Sequence, residues 1–275
     1  MTEATLLALG SAVLHASWNL LIKTSNERFL AAWGQFLVGG LLFVPLLPVV
    51  GMPGADVSGF LVVSSLVHVV YVTALVQAYH HGDFSFAYPL ARGGGALLAA
   101  IGGVVFLSDA LSGGEWLAIG VVVVGLLSLV RPGVSTAALA WAGLTALTIG
   151  TYTTIDIEGA RRSSGFGYGI CLVLGAGLAI SVAGLLLGRG GAFVRSFAVA
   201  WPRYVLGGGL STVAYSLVLA AGRLAPAGYV AALRESSVVF GALGGWLLLH
   251  ERLGRARVVS AGVIGVGLAL LVYLA

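Results

Sequence analysis

The sequence predicts an all-α membrane protein, with ten transmembrane helices arranged as two inverted five-helix repeats. Three observations carry that expectation. First, only 9% of the 275 residues are charged and 59% are hydrophobic, whereas a soluble domain carries about 25% charge. Such a chain cannot cover a water-facing surface of its own size. Second, its apolar residues fall into runs of about 20, the length a helix needs to cross a hydrocarbon core about 30 Å thick. Third, a shift of 142 residues superposes Arg92 on Arg234, and over residues 92–130 it makes 13 of 39 positions identical without a gap.

The runs, in order, are 4–23, 30–50, 57–80, 84–108, 115–131, 136–156, 166–188, 200–221, 226–249 and 256–275. The first lacks a basic leader and a convincing cleavage site, so it reads as a span and not as a removed signal. Between the runs lie KTSNER, GMPGAD, HHGD, SDALSGG, RPGVS, EGARRSS, GRGGAFVRSF, GRLAP and HERLGRAR, all rich in loop-forming residues. The runs are apolar all round and twice the length of a barrel strand, which excludes a β-barrel. The 42 glycines suit helices that pack closely without a hydrophobic effect to join them. The single cysteine, Cys171, lies within an apolar run and reads as packing. The net charge of +4 is no nucleic-acid signal, because most of the basic residues sit in short loops.

The repeat divides the chain into residues 1–132 and 133–275. Five spans is an odd number, so the second unit enters the membrane inverted relative to the first, about a pseudo-twofold axis in the membrane plane. Arg92 and Arg234 then approach the midplane from opposite faces, where sites between repeats tend to lie. Loop Lys and Arg residues number three on the side of the termini (Arg161, Arg162, Arg223) and nine on the other. That bias weakly favours termini outside.

A charge at a helix centre costs at least ~2.5–3.5 kcal/mol on insertion scales, so each arginine needs a partner or a ligand. A guanidinium suits a carboxylate or a phosphonate-like group. The alternative is a structural ion pair. Glu235 is the one carboxylate read as deep in a span, serving either as an arginine's partner or as a proton-coupling group. Asp156 reads as interfacial, at the end of its run. His15 shares a helix face with Asn19 and lies one turn from Trp18, which suggests a cavity wall. His15 and His80 are further coupling candidates, because histidine titrates near neutral pH. Tyr71, Tyr88, Tyr152 and Tyr215 complete the candidate lining. Pro89, Gly82 and Gly93 mark a run that could bend as a gate, or simply hold a static kink. No metal-ligand spacing and no cofactor motif is present.

HASWNLLIK (15–23), YHHGDFSFAYPLARGG (79–94) and GWLLLHERLG (245–254) together resemble signatures of the EamA family, within the drug/metabolite transporter superfamily. His15 and Trp18 stand where the common signature has Trp and Asn, so the roles of that pair are not carried over. The resemblance covers essentially the whole chain. It implies ten helices, an inverted repeat, a central cavity and secondary transport, frequently export of amino acids or related metabolites. On that basis the chain is expected to be a non-enzymatic exporter of a small polar anion or zwitterion, by alternating access. It is expected in the bacterial inner membrane, as a monomer or homodimer, with protons as a candidate coupling ion and no nucleic-acid partner. A passive channel and an intramembrane transferase are the rival readings.

Overall fold

The computed structural model describes residues 1–23, 25, 27–81, 84–128, 135–163, 166–240 and 255–275, without the side chains of 19, 20, 22, 23, 84–89 and 255–257. Among the described residues every regular element is helical. The helices are α1 (Thr2–Lys23), α2 (Arg28–Phe43), α3 (Leu47–Val50), α4 (Ser58–His81), α5 (Phe84–Phe106), α6 (Gly113–Leu127), α7 (Thr136–Arg162), α8 (Gly167–Leu186), α9 (Gly190–Leu224), α10 (Ala227–Arg234) and α11 (Arg255–Leu274). Four stretches are long and apolar enough to cross a membrane: Arg28–Val50, Ala55–His81, Gly167–Leu186 and Gly190–Leu224.

Helix α1 turns small and polar residues inward and large apolar ones outward. On α1, Ala4, Ala8, Ser11, Ala12 and His15 are buried at the i, i+3/i+4 spacing of one helix face. On its other side Leu6 is 67% exposed. Small inward residues let helix backbones approach closely. The principal packing partners are α1 with α9, α2 with α8 and α9, α4 with α7 and α8, α5 with α7 and α10, and α6 with α11. All of these join residues 1–132 to residues 133–275, so the two stretches interlock.

Two of the crossings are reciprocal. A Cβ at Gly125 would come within 2.8 Å of Ile264 Cγ1, and one at Gly267 within 2.8 Å of Val122 Cγ2. Gly125 with Gly267, and Val122 with Ile264, are pairs superposed by the 142-residue shift. Likewise Gly40 packs on Leu174 and Gly177 on Leu37. Both of those relations span 137 residues. A contact in which i meets j′ and j meets i′ is the mark of a twofold relation.

The helix bounds depart from the sequence expectation in four places. The run 30–50 breaks at Val44–Leu46, where Pro45 sits in the first turn of a 3₁₀ segment. The stretch from 190 onward, read as loop, is the start of α9, which runs 35 residues through Pro202. Gly188, at φ 69°, ends α8, with the Arg189 amide donating to the Gly184 carbonyl at 2.9 Å. Phe193 then stacks on Trp33 with centroids 4.1 Å apart, which gives the new helix a partner at once. Helix α7 runs six residues beyond the expected end at 156 and is capped by Arg223, which donates to the carbonyls of Ala160 at 2.6 Å and Ser163 at 2.8 Å. Arg161 reciprocates, donating to Gly222 O at 2.8 Å and Ala225 O at 3.1 Å at the end of α9. The fourth departure is a turn at Glu235, which separates α10 from a helical stretch at 236–240.

Candidate functional site

The turn at Glu235 lies in the middle of the polar centre. The Glu235 amide donates back to Ala232 O at 3.0 Å, and the Ser236 hydroxyl takes up Leu233 O at 2.7 Å. A serine hydroxyl competing for a helix carbonyl bends the helix locally. The bend swings Glu235 off the face of its neighbour Arg234 and toward α5. There it meets Arg92 in a two-point pair: Arg92 Nε donates to Oε2 at 3.1 Å, and Nη2 lies 2.8 Å from Oε1. The side chains are 7% and 4% exposed, which makes this a buried pair with fork-to-carboxylate geometry.

Arg234 has a different environment. It is 6% exposed, and its Nε has no hydrogen-bond partner among the described residues. Its guanidinium carbon lies 5.6 Å from the centroid of the Tyr215 ring, within cation–π range. The two arginines, superposed in sequence by the 142-residue shift, therefore have different surroundings in the fold. One is neutralised by a carboxylate from the other half, and the second faces an aromatic ring.

Tyr215 on α9 links Arg234 to Asp156 on α7, because its hydroxyl donates to Asp156 Oδ2. Asp156 is fully buried, and Oδ1 has no hydrogen-bond partner among the described residues. Its place is not the interfacial one expected from sequence, because α7 continues to Arg162 and carries the residue inside. Consequently Glu235 is not the only carboxylate deep within a helix.

Around this line stands an aromatic wall. Tyr152, one turn before Asp156 on α7, stacks on His68 of α4, with centroids 4.3 Å apart and planes at 29°. Tyr71 meets Tyr152 edge-on at 5.4 Å, and Tyr152 meets Tyr215 at 6.2 Å. His68 Nδ1 lies 2.9 Å from the Ser64 carbonyl. A carbonyl only accepts, so Nδ1 carries the proton, and Nε2 of the neutral ring is left as an acceptor. On α1, His15 meets Trp18 edge-on at 4.6 Å and lies within electrostatic reach of both arginines.

The structure thus brings together Arg92, Arg234, Glu235, His15, Trp18, Tyr71, Tyr152 and Tyr215 of the sequence candidates. His80 is not with them. It is exposed beside His81 at the end of α4, roughly 18 Å along the helix from His68 at 1.5 Å per residue. Gly82 and the side chains of Asn19, Tyr88 and Pro89 lie outside the described residues. Gly93 packs against α6, where a Cβ would meet Leu126 Cβ at 3.3 Å, and Gly94 packs on α7, where a Cβ would meet Ala146 Cβ at 2.9 Å. These glycines serve close helix contact. Among the described residues no three His, Cys, Asp or Glu side chains converge as a metal site would require.

Sequence reasoning passed over His68 and Asp156. A signal was present: His68 precedes Tyr71 by three residues, and Asp156 follows Tyr152 by four, so each shares a face with a candidate already chosen.

No family model matches the chain, and no curated protein matches it in sequence. A solved structure described only as "Crystal structure of protein" superposes with a TM-score of 0.77, over 100% of this chain and 98% of its own, at 16% identity. At that identity the likeness concerns the fold alone, and the whole of this chain shares it.

Proposed function

We propose that the chain is a ten-span integral membrane protein of two inverted five-helix units, 1–132 and 133–275, and that it works as a secondary active transporter of the EamA type. It exports a small polar metabolite with an anionic or zwitterionic head, such as an amino acid or a related compound, from the bacterial cytoplasm across the inner membrane. Alternating access passes through the polar centre, and the protein is not an enzyme. The outward apolar surface, the four membrane-length helices and the reciprocal crossings α2–α8 and α6–α11 all support this reading.

The observation that carries the substrate class is Arg234. A buried guanidinium is costly unless something answers its charge. Glu235 answers Arg92, while Arg234 has no carboxylate in contact among the described residues. An anionic head group placed there completes the set, with His68, Tyr71, Tyr152 and Tyr215 as walls. Counterflow into proteoliposomes, screened against amino acids, drugs and phosphonates, tests this. Saturable exchange with at least one anionic or zwitterionic compound is expected. Flux without saturation or exchange would replace the transporter with a channel.

A further inference from the structure

We propose that Asp156 is the proton-carrying group of the site, taking up a proton when the positive charge of Arg234 is neutralised by a bound anion. The inference rests on the reading of Arg234 as the anion-binding residue.

The groups facing Asp156 come from five elements. Tyr152 lies on its own helix, Ser64 and His68 on α4, Tyr168 on α8, Tyr215 on α9 and Arg234 on α10. Of these, Arg234 alone holds a fixed charge. The next charged groups, Arg92 and Glu235, neutralise each other at 2.8 Å. The counter-charge of an ionised Asp156 is therefore Arg234, lying across the Tyr215 ring.

An anion that occupies Arg234 takes that counter-charge away. Two negative charges then share a buried site with one free positive charge, and in low dielectric like charges do not both persist. A proton from the aqueous side restores neutrality, forming an O–H bond at the carboxylate. The same bond breaks when the anion leaves on the opposite side. The loaded and empty sites carry the same net charge, so one proton leaves with each monoanion, and export on this stoichiometry is driven by the substrate's own outward gradient and not by the inward proton gradient.

The bound species at Asp156 is a proton and not a second pole of the substrate. The side chain is fully buried, and Tyr215 already occupies Oδ2. An ammonium group needs room and three acceptors. A proton needs only the lone pair of Oδ1, which has no hydrogen-bond partner among the described residues, and the nearby Ser64 hydroxyl can donate to the carboxylate once that proton has left.

Infrared difference titration of the full-length protein, reconstituted and without added substrate, tests this. The readout is the carboxylic acid C=O stretch, which appears only when a carboxylate takes up a proton. The buried band rises as pH falls in the parent protein, is absent in Asp156→Asn and is retained in Glu235→Gln. Arg234→Gln, which imitates neutralisation, moves its appearance to a pH higher by about one to two units, the scale of one charge across a tyrosine ring at moderate effective dielectric. If Asp156→Asn does not fold, Asp156→Glu shifts the frequency of the same band. A band that survives in Asp156→Asn, or keeps its frequency in Asp156→Glu, overturns the assignment, as does one lost in Glu235→Gln. A band indifferent to Arg234→Gln overturns the linkage. None of these readouts needs transport, so a failure here is distinct from failure of the counterflow screen.

Discussion

Replacing Arg92 and Arg234 separately by alanine should have unequal effects on stability. The Arg92–Glu235 pair is buried at 7% and 4% exposure, with contacts of 3.1 and 2.8 Å. Arg92→Ala leaves a carboxylate stranded in that environment, and breaking a buried pair by removing one partner costs about 3–5 kcal/mol. At roughly 2–4 °C per kcal/mol for a chain of this size, the apparent melting temperature falls by about 6–20 °C. Arg234→Ala strands no contacting carboxylate among the described residues. It removes a cation–π contact worth about 0.5–2 kcal/mol, a fall of about 1–8 °C on the same scale. The double variant Arg92→Met/Glu235→Met removes both charges together and should recover most of the loss, because an apolar replacement of a buried pair is often neutral. The assay is thermal unfolding of detergent-purified protein, followed by the monodisperse fraction on gel filtration. Equal destabilisation by Arg92→Ala and Arg234→Ala would refute the assignment of the pair. So would a double variant no more stable than Arg92→Ala alone.

Tyr215→Phe removes the hydroxyl that donates to the buried Asp156 carboxyl; thermal unfolding should show a loss of about 1–3 kcal/mol, the cost of leaving a buried acceptor unsatisfied. Arg223→Ala frees the carbonyls of Ala160 and Ser163 at the end of α7. It should cost about 1–2 kcal/mol and raise hydrogen exchange in the last turn of α7 without affecting α5. Gly177→Val places side-chain atoms where a Cβ would already lie 2.7 Å from the Leu37 backbone; overpacking of that kind costs about 1–3 kcal/mol, read as a lower melting temperature, whereas the same change at Gly143, with open space around it, should be close to neutral.

The helical class was legible because an uncharged run of about 20 residues has few other solutions. The equivalence of Arg92 and Arg234 was legible because a shift of 142 residues needs no structure. What each arginine meets was not. Glu235 follows Arg234 in sequence, and neighbours on an uninterrupted helix point apart; only the turn at Glu235 and the approach of α5 bring it to Arg92. Asp156 was misplaced for a related reason. EGARRSS reads as a polar loop, yet Arg223, from a distant part of the chain, satisfies the carbonyls at the end of α7, and six more residues become helix. The start of α9 is not legible as helix, because its glycines and arginines interrupt the apolar run and the ring that Phe193 stacks on, Trp33, belongs to α2. Each miss turns on a partner far away in sequence.

The most direct measurement is counterflow of a saturable substrate found in the screen, compared across three reconstituted proteins. The parent and Arg92→Met/Glu235→Met should exchange substrate with similar affinity, since the pair holds the helices together. Arg234→Ala, folded and inserted, should lose exchange of anionic or zwitterionic compounds by at least tenfold, the equivalent of about 1.4 kcal/mol. Exchange that persists unchanged in Arg234→Ala would contradict the assignment of Arg234 as the group that holds the substrate.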